Sequence, residues 1–344
     1  MFKIGIEQEF VFLKENGEYV DADNTDYSLF GEIVDAFPAF EGDDRFLDCK
    51  SIETYPKRCY VEGFERHDGN GKRIDTLPKA LEIRTLPHDS VNGAVAEFRD
   101  SWSIVMSLAA ERGLTPVLVS WNPYRTALDW FSRLGEEEQR VRTPARFELA
   151  KRAMFTHGLH VNVSLEGFTR DQMQDRVDKV CHYTPSVIPW SYSSPFHHGG
   201  VFEGLCARNY FRASSRNMVD LNERMGEYVI EFRGFDACGD HRLLDAVLRL
   251  FTGFLLDETL PGRTRQQDSE RLMLSSLAGF GDPSIREECG HILQAARAAQ
   301  DGADEPFHLL AKMLENNDTY SARMKNRFAD TGSIRAAISG HYDY

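Results

Sequence analysis

Four short segments of this chain place chemically active side chains two residues apart. Gly5-Ile6-Glu7-Gln8-Glu9-Phe10 carries two carboxylates. Leu81-Glu82-Ile83-Arg84-Thr85 carries a carboxylate and a guanidinium, and Glu231-Phe232-Arg233 repeats that pair. Gly158-Leu159-His160-Val161-Asn162-Val163-Ser164 carries an imidazole and an amide. In a strand, side chains two apart point to the same face. Each pair therefore shares one face, and the apolar residues between and around it can pack on a core. Buried charge must be paired or bound to metal. Four such strands around one cavity would gather Glu7, Glu9, Glu82, His160 and Glu231 with Arg84 and Arg233. That set suits metal ions and phosphate. Oxygen ligands with at most one imidazole fit Mg²⁺ or Mn²⁺ rather than zinc.

Taken singly, each signal has a simpler reading. A Glu-x-Glu strand is most simply a solvated face. A Glu-x-Arg pair is a same-face salt bridge worth little. A lone histidine is a hydrogen-bonded core residue. The repetition carries the argument, because ordinary strands do not keep placing charge opposite apolar residues unless that face is a cavity.

The elements that must position these groups follow from the rest of the 344 residues. Hydrophobic content of 42% and charged content of 27% are ordinary for a globular protein. The net charge of −14 argues against non-specific nucleic-acid binding. Six scattered cysteines with no C-x-x-C pair fit a reducing, cytoplasmic setting and offer no zinc or disulfide framework. No apolar leader and no apolar run near 18 residues is visible, so neither a secretory signal nor a membrane span is expected. Gly71-Lys72 is not a phosphate-binding loop, because Arg66 and Arg73 stand at the positions that should be Gly and Ser or Thr.

Residues 2–13 read as a strand that turns at Glu15-Asn16-Gly17 into a hairpin. A short helix is expected around Leu29–Phe37. A hairpin runs from Arg58 to Thr85 through Asp68-Gly69-Asn70-Gly71. Apolar residues from Val91 to Ala109 recur at helical spacing, with Asp89 or Ser90 to cap and Gly113 to end the helix. A strand at 115–120, a helix at 136–156 and the His-bearing strand at 158–165 follow. Residues 169–188 read as a helix and 190–216 as a long loop of functional composition. A strand at 227–235, a helix at 243–256 and an all-helical 268–340 complete the chain. A single α+β domain over 1–344, with 268–344 as a helical C-terminal section, is the simplest reading.

In this order the segments resemble the glutamate–cysteine ligase family, its carboxylate–amine ligase branch most of all. Gly5–Phe10 resembles the opening G-x-E-x-E-F, and Leu81–Pro87 the second acidic strand. Ser120-Trp121-Asn122-Pro123 stands at the Gly-Thr-His-Pro-like turn and departs from it at Trp121 and Asn122. Gly158–Val163 resembles G-[LI]-H-x-[HN]-x, with Asn162 as in proteobacterial glutamate–cysteine ligases. Ser193-Ser194-Pro195-Phe196 resembles N-S-P-F with Ser193 for Asn. Ile230–Asp236 resembles E-x-R-x-x-D, and Arg327–Ser333 a closing A-D-G-G-S-like segment.

The resemblance implies a glutamine synthetase-like catalytic core: a curved, mainly antiparallel sheet with flanking helices. It implies ATP with Mg²⁺ or Mn²⁺. It also implies a small-molecule carboxylate, often glutamate, activated as an acyl phosphate and joined to an amine or amino acid. Glu7, Glu9, Glu82, His160 and Glu231 are the implied metal ligands. Arg233 and Glu231 are the implied catalytic residues. Arg233, Asn162 and Arg84 face ATP phosphates in that reading, and Arg84 has pairing with Glu82 as its other role. Arg208 and Arg212, after the Ser-Pro-Phe loop, are candidates to hold a substrate carboxylate. Cysteine, another amine, or a peptide- or carrier-bound amine stays open as acceptor, and a homo-oligomer stays open as assembly. Two rival readings are a metal-dependent amide hydrolase and a catalytically silent nucleotide-binding relative. All five ligand positions speak against the silent one, and the hydrolase leaves the strand arginines without a clear task.

Overall fold

The computed structural model describes residues 1–50, 55–68, 70, 72–129, 134–141, 150–215, 217–300 and 304–344. Its frame is one antiparallel sheet. The strands are β1 (Phe2–Lys14), β2 (Cys59–His67), β3 (Arg73–Arg84), β4 (Leu114–Val117), β5 (Gly158–Leu165), β8 (Val219–Arg224) and β9 (Glu227–Asp236), in the order β2-β3-β1-β5-β9-β8. β4 pairs with the far end of β1, from Val11 opposite Val117 to Lys14 opposite Leu114. A separate hairpin joins β6 (Phe196–His197) to β7 (Gly200–Val201).

Alternation along β1 explains its place at the centre. Ile4, Ile6, Phe10 and Phe12 are fully buried on one face. Glu7 and Glu9, between them in sequence, point to the other. The apolar face packs on helices. In α3 (Val91–Ala110), Phe98 and Trp102 set their rings 5.9 and 4.7 Å from Phe10. Ser90 caps this helix by accepting from Gly93 N. Across the sheet, α5 (Arg170–Val187) lies against β8 and β9. In α7 (His241–Leu256), Phe251 stacks on Phe232 of β9 at 4.8 Å. The smaller helices are α1 (Tyr27–Ala36), α2 (Asp43–Phe46), α4 (Glu136–Val141) and α6 (Ala207–Arg212). The C-terminal section is α8 (Ser269–Ala278), α9 (Pro283–Ala298), α10 (Asp304–Asn316), α11 (Tyr320–Thr331) and α12 (Ile334–Ile338). One apolar core runs from Ile4 to Ile338.

The architecture is the expected α+β core, and three local expectations differ. The turn at Glu15-Asn16-Gly17 forms, but β1 is answered there only by a single bridge, Leu13 to Tyr19, because its partners are β3, β4 and β5. Residues 190–216 are not a simple loop. They hold the β6–β7 hairpin and α6, and Trp190 and Tyr192 are fully buried, Trp190 Nε1 donating to Leu310 O at 3.0 Å. β8 has no counterpart among the expected strands. Its polar alternation suits an edge paired only with β9. Gly69 and Gly71 of the expected turn, and 142–149 of the expected helix, lie outside the described residues.

A buried ion pair locks two helices behind the sheet. Lys179 of α5 is fully buried. Its ammonium donates to Phe254 O at 2.7 Å, Asp257 O at 2.6 Å and Asp257 Oδ2 at 3.0 Å, closing the C-terminus of α7. Lys179→Met should strand those acceptors and a buried carboxylate, at a cost of about 3–5 kcal/mol. Chemical denaturation of the two proteins measures this. An unchanged midpoint would mean that the ammonium does not hold the helices together.

Candidate active site on the acidic face of the sheet

Strand register brings the predicted side chains together. Glu7 lies opposite His160 across β1 and β5, and Asn162 lies opposite Glu231 across β5 and β9. Glu9 lies opposite Glu82 across β1 and β3. A bulge at His160 shifts the β5–β9 register beside Arg233, as bulges near functional clefts often do.

Among the described residues these strands form two groups of potential metal ligands. Glu7, His160 and Glu231 have ligand atoms within 4.8 Å of one another, and so do Glu9, Glu62 and Glu82. The sequence reading listed five of these six and missed Glu62. Its signal was present, since Tyr60-Val61-Glu62 alternates in the hairpin partner of the Glu82 strand. Nothing local separated it from a solvated face.

In the first group, His160 Nδ1 stands 3.6 Å from Glu7 Oε2. Burial pushes the Glu7 carboxyl up, but the neighbouring His160, together with Arg224 and Lys50, outweighs it and holds the group at about 2. Glu231 accepts from Arg233 Nε at 2.8 Å on one oxygen, and from Asn222 Nδ2 at 2.7 Å and Arg224 Nη2 at 3.2 Å on the other. Nη1 of Arg233 donates to Asp220. Arg233 is thus a guanidinium oriented on two sides by carboxylates, on the same face as the ligands. Asn162 Oδ1 is buried there with no hydrogen-bond partner.

In the second group, burial pushes Glu9 up, and Lys79, His160 and His157 outweigh it and bring it to about 2. Glu62 has no comparable surplus of positive charge. Burial, with Glu9 and Glu7 beside it, moves it up to about 7 against the pull of Lys79. Burial and the charges of Glu62, Glu7 and Glu9 push Glu82 well above the usual carboxylate range. Glu82 is 2% exposed, and its Oε1 is buried without a hydrogen-bond partner. Crowded carboxylates with an orphaned oxygen are a donor set that a hard divalent cation fits.

Beside both groups lies a cavity of about 340 Å³, lined by Glu9, Glu62, Lys79, His160, Arg208 and Arg212 among others. Arg208 is held by Arg233 O at 2.9 Å, Gly234 O at 3.3 Å and Asp236 at 3.5 Å. Asp236 also accepts from Ser193 N at 2.9 Å and Ser194 Oγ at 2.7 Å. The last residue of E-x-R-x-x-D therefore ties the Ser-Ser-Pro-Phe segment and Arg208 to β9. Arg84 stands apart. It donates to Lys57 O at 2.8 Å and Asp48 O at 2.7 Å and covers the Tyr60 ring, and among the described residues no ion pair joins it to Glu82. A larger cavity of about 610 Å³ lies among α3, α7, α10 and α11 and contains none of the predicted residues.

No family model matches the chain. A protein of Ruegeria pomeroyi, provisionally named glutamate–cysteine ligase 2, is 28% identical over 119 residues, 35% of this chain and 30% of that protein. Solved structures match nearly the whole of this chain and a smaller share of their own. Glutamate–cysteine ligase from Francisella tularensis, solved with AMP, covers 98% of this chain and 86% of its own, with a TM-score of 0.64 at 11% identity. A bifunctional glutathione synthetase from Pasteurella multocida covers 98% of this chain at a TM-score of 0.59 and 12% identity, and this chain spans only 51% of it. The ligase PafA, solved with the ubiquitin-like protein Pup, covers 98% of this chain and 66% of its own, at 0.52 and 10%. With its acidic antiparallel sheet, the chain thus has the fold of these solved ligases and, over those 119 residues, resembles a glutamate–cysteine ligase in sequence.

Proposed function

We propose that this protein is an ATP-dependent ligase that activates a small carboxylate, glutamate the first candidate, as an acyl phosphate and joins it to an amine. One observation carries the reading. Two groups of metal-ligand type share a sheet face with a carboxylate-oriented arginine, beside a cavity with two further arginines. The resemblance to a ligase solved with AMP supports an adenine nucleotide as co-substrate.

Glu7, His160 and Glu231 would hold one divalent cation, and Glu62 and Glu82, with or without Glu9, another. Bound there, such ions would supply positive charge that offsets the charge developing in phosphoryl transfer. The protein's own groups do the rest. Arg233, fixed by Glu231 and Asp220, presents a rigid planar donor to the transferring phosphoryl group. Arg208 and Arg212 line the cavity with donors suited to a carboxylate. Asp236 keeps Arg208 in place, and Arg84 supports the second group from behind through Tyr60 rather than touching phosphate.

The direct test is to separate nucleotides after incubation with glutamate and a panel of amines. ADP and inorganic phosphate are expected, fastest with both substrates present. AMP and pyrophosphate would overturn the acyl-phosphate route. Amide hydrolysis without nucleotide would favour the hydrolase instead.

Glu7→Gln and Glu231→Gln should keep the fold and lose turnover by on the order of 100-fold or more, because a neutral amide oxygen holds the cation far more weakly than a carboxylate. Near-normal turnover with metal still bound in both variants would remove these residues from the site.

Arg233→Lys should lower kcat by about 100-fold with little change in nucleotide affinity, since a two-donor contact that tightens in the transition state is lost. A loss of affinity alone would make Arg233 a ground-state binding residue.

A further inference from the structure

Lys79 falls at a second bulge. Glu62 pairs with Ala80 and Gly63 with Pro78, so Lys79 has no residue opposite it. A bulge re-aims the extra side chain. Gly63 permits this one, because a Cβ there would stand 2.0 Å from Leu77 O. Lys79 is thereby turned into the acidic face. Its ammonium donates to Glu9 Oε1 at 2.7 Å, Ala153 O at 3.1 Å and Thr156 O at 2.9 Å, and stands 3.8 Å from Glu62 Oε1. The first three contacts use all of its protons. The other Glu9 oxygen accepts from Gly158 N at 2.8 Å. Both oxygens of Glu9 are therefore taken by the protein, while the buried Glu82 Oε1 has no hydrogen-bond partner.

We propose that Lys79 is a resident cation of the Glu9–Glu62–Glu82 group, taking up the charge of Glu9, competing there with a divalent ion, and leaving Glu62 and Glu82 as the pair open to metal. The inference rests on the reading of these carboxylates as metal ligands. Two backbone carbonyls anchor the ammonium, so it cannot swing away without stranding them. With all three carboxyl groups ionised around a bound cation, three carboxylates less one ammonium leave two negative charges, which one divalent ion neutralises. Lys79 thus limits both how much metal the group takes and how tightly it holds it. Its role toward the cation is positioning and charge balance, not contact.

The test counts Mn²⁺ bound to the full chain by electron paramagnetic resonance, without nucleotide, in the wild type, Lys79→Met, and Glu9→Gln with Lys79→Met. Circular dichroism and a cooperative melt check folding. The site of interest is the one without nitrogen coupling from His160. Lys79→Met should bind Mn²⁺ there about tenfold tighter or more, because a neighbouring cation has been removed. The double variant, with the pair neutralised as a unit, should stay within about threefold of the wild type. Unchanged or weaker binding in Lys79→Met, with Mn²⁺ still bound by the wild type, overturns the role of Lys79 and leaves the metal reading intact. No Mn²⁺ in any of the proteins overturns both. If Lys79→Met fails to fold, the double variant decides. Wild-type-like affinity supports the proposal, and a loss beyond about tenfold makes Glu9 a metal ligand and overturns it.

Discussion

Like charges held close together in a dry place govern this molecule. Glu7, Glu9, Glu62, Glu82 and Glu231 lie on one sheet face, in two groups whose ligand atoms approach within 4.8 Å. Water would screen such repulsion, but burial removes the water. The protein answers with fixed groups of its own. The cations Lys79, Arg224 and Arg233 meet Glu9 and Glu231, and the imidazole of His160 stands beside Glu7. Where these answers are incomplete, at Glu62 and Glu82, the carboxyl groups are pushed upward. The incompletely answered group is the one with the strongest demand for an added cation.

A face so charged is tolerable only because the opposite face pays nothing similar. There Ile4, Ile6, Phe10 and Phe12 pack against α3 and the C-terminal section. Gln8 is the exception on that side. Its amide is matched on both ends by the backbone of Cys238, at 3.0 and 3.2 Å, which joins the strand between Glu7 and Glu9 to the segment just after β9. The same backbone that burdens one side of β1 with charge is thus clamped from the other. Asp236 plays the matching part on β9, where its contacts reach the Ser193-Ser194 segment and Arg208.

Two bulges do what regular pairing cannot. Strict alternation would give each strand one charged side chain every second position. The unpaired Lys79 breaks that spacing and sets an ammonium beside Glu9 on the neighbouring strand, and the register shift opposite His160 falls beside Arg233. The carboxylates themselves, and the contact of His160 with Glu7, come from the regular part of the sheet.

That division marks what the sequence could and could not determine. Alternation in β1, β3, β5 and β9 follows from residue order alone, because a period of two is a property of the strand backbone. Glu7, Glu9, Glu82, His160 and Glu231 were legible for that reason, as were the long amphipathic helix α3 with its Ser90 cap and the helical C-terminal section. Which strands are neighbours is a long-range matter. Glu62 looked like any polar residue in a hairpin until pairing set it beside Glu82 and Glu9. Arg84 looked equivalent to Arg233, but carbonyls of residues 48 and 57 claim it, and only the folded chain brings them near. Lys79 gave no signal, since a bulge is decided by the match between two strands rather than by either one. The sequence by itself determined the faces and their charges. The tertiary structure decided which charges meet, because distance between residues far apart in the chain is set by packing and register.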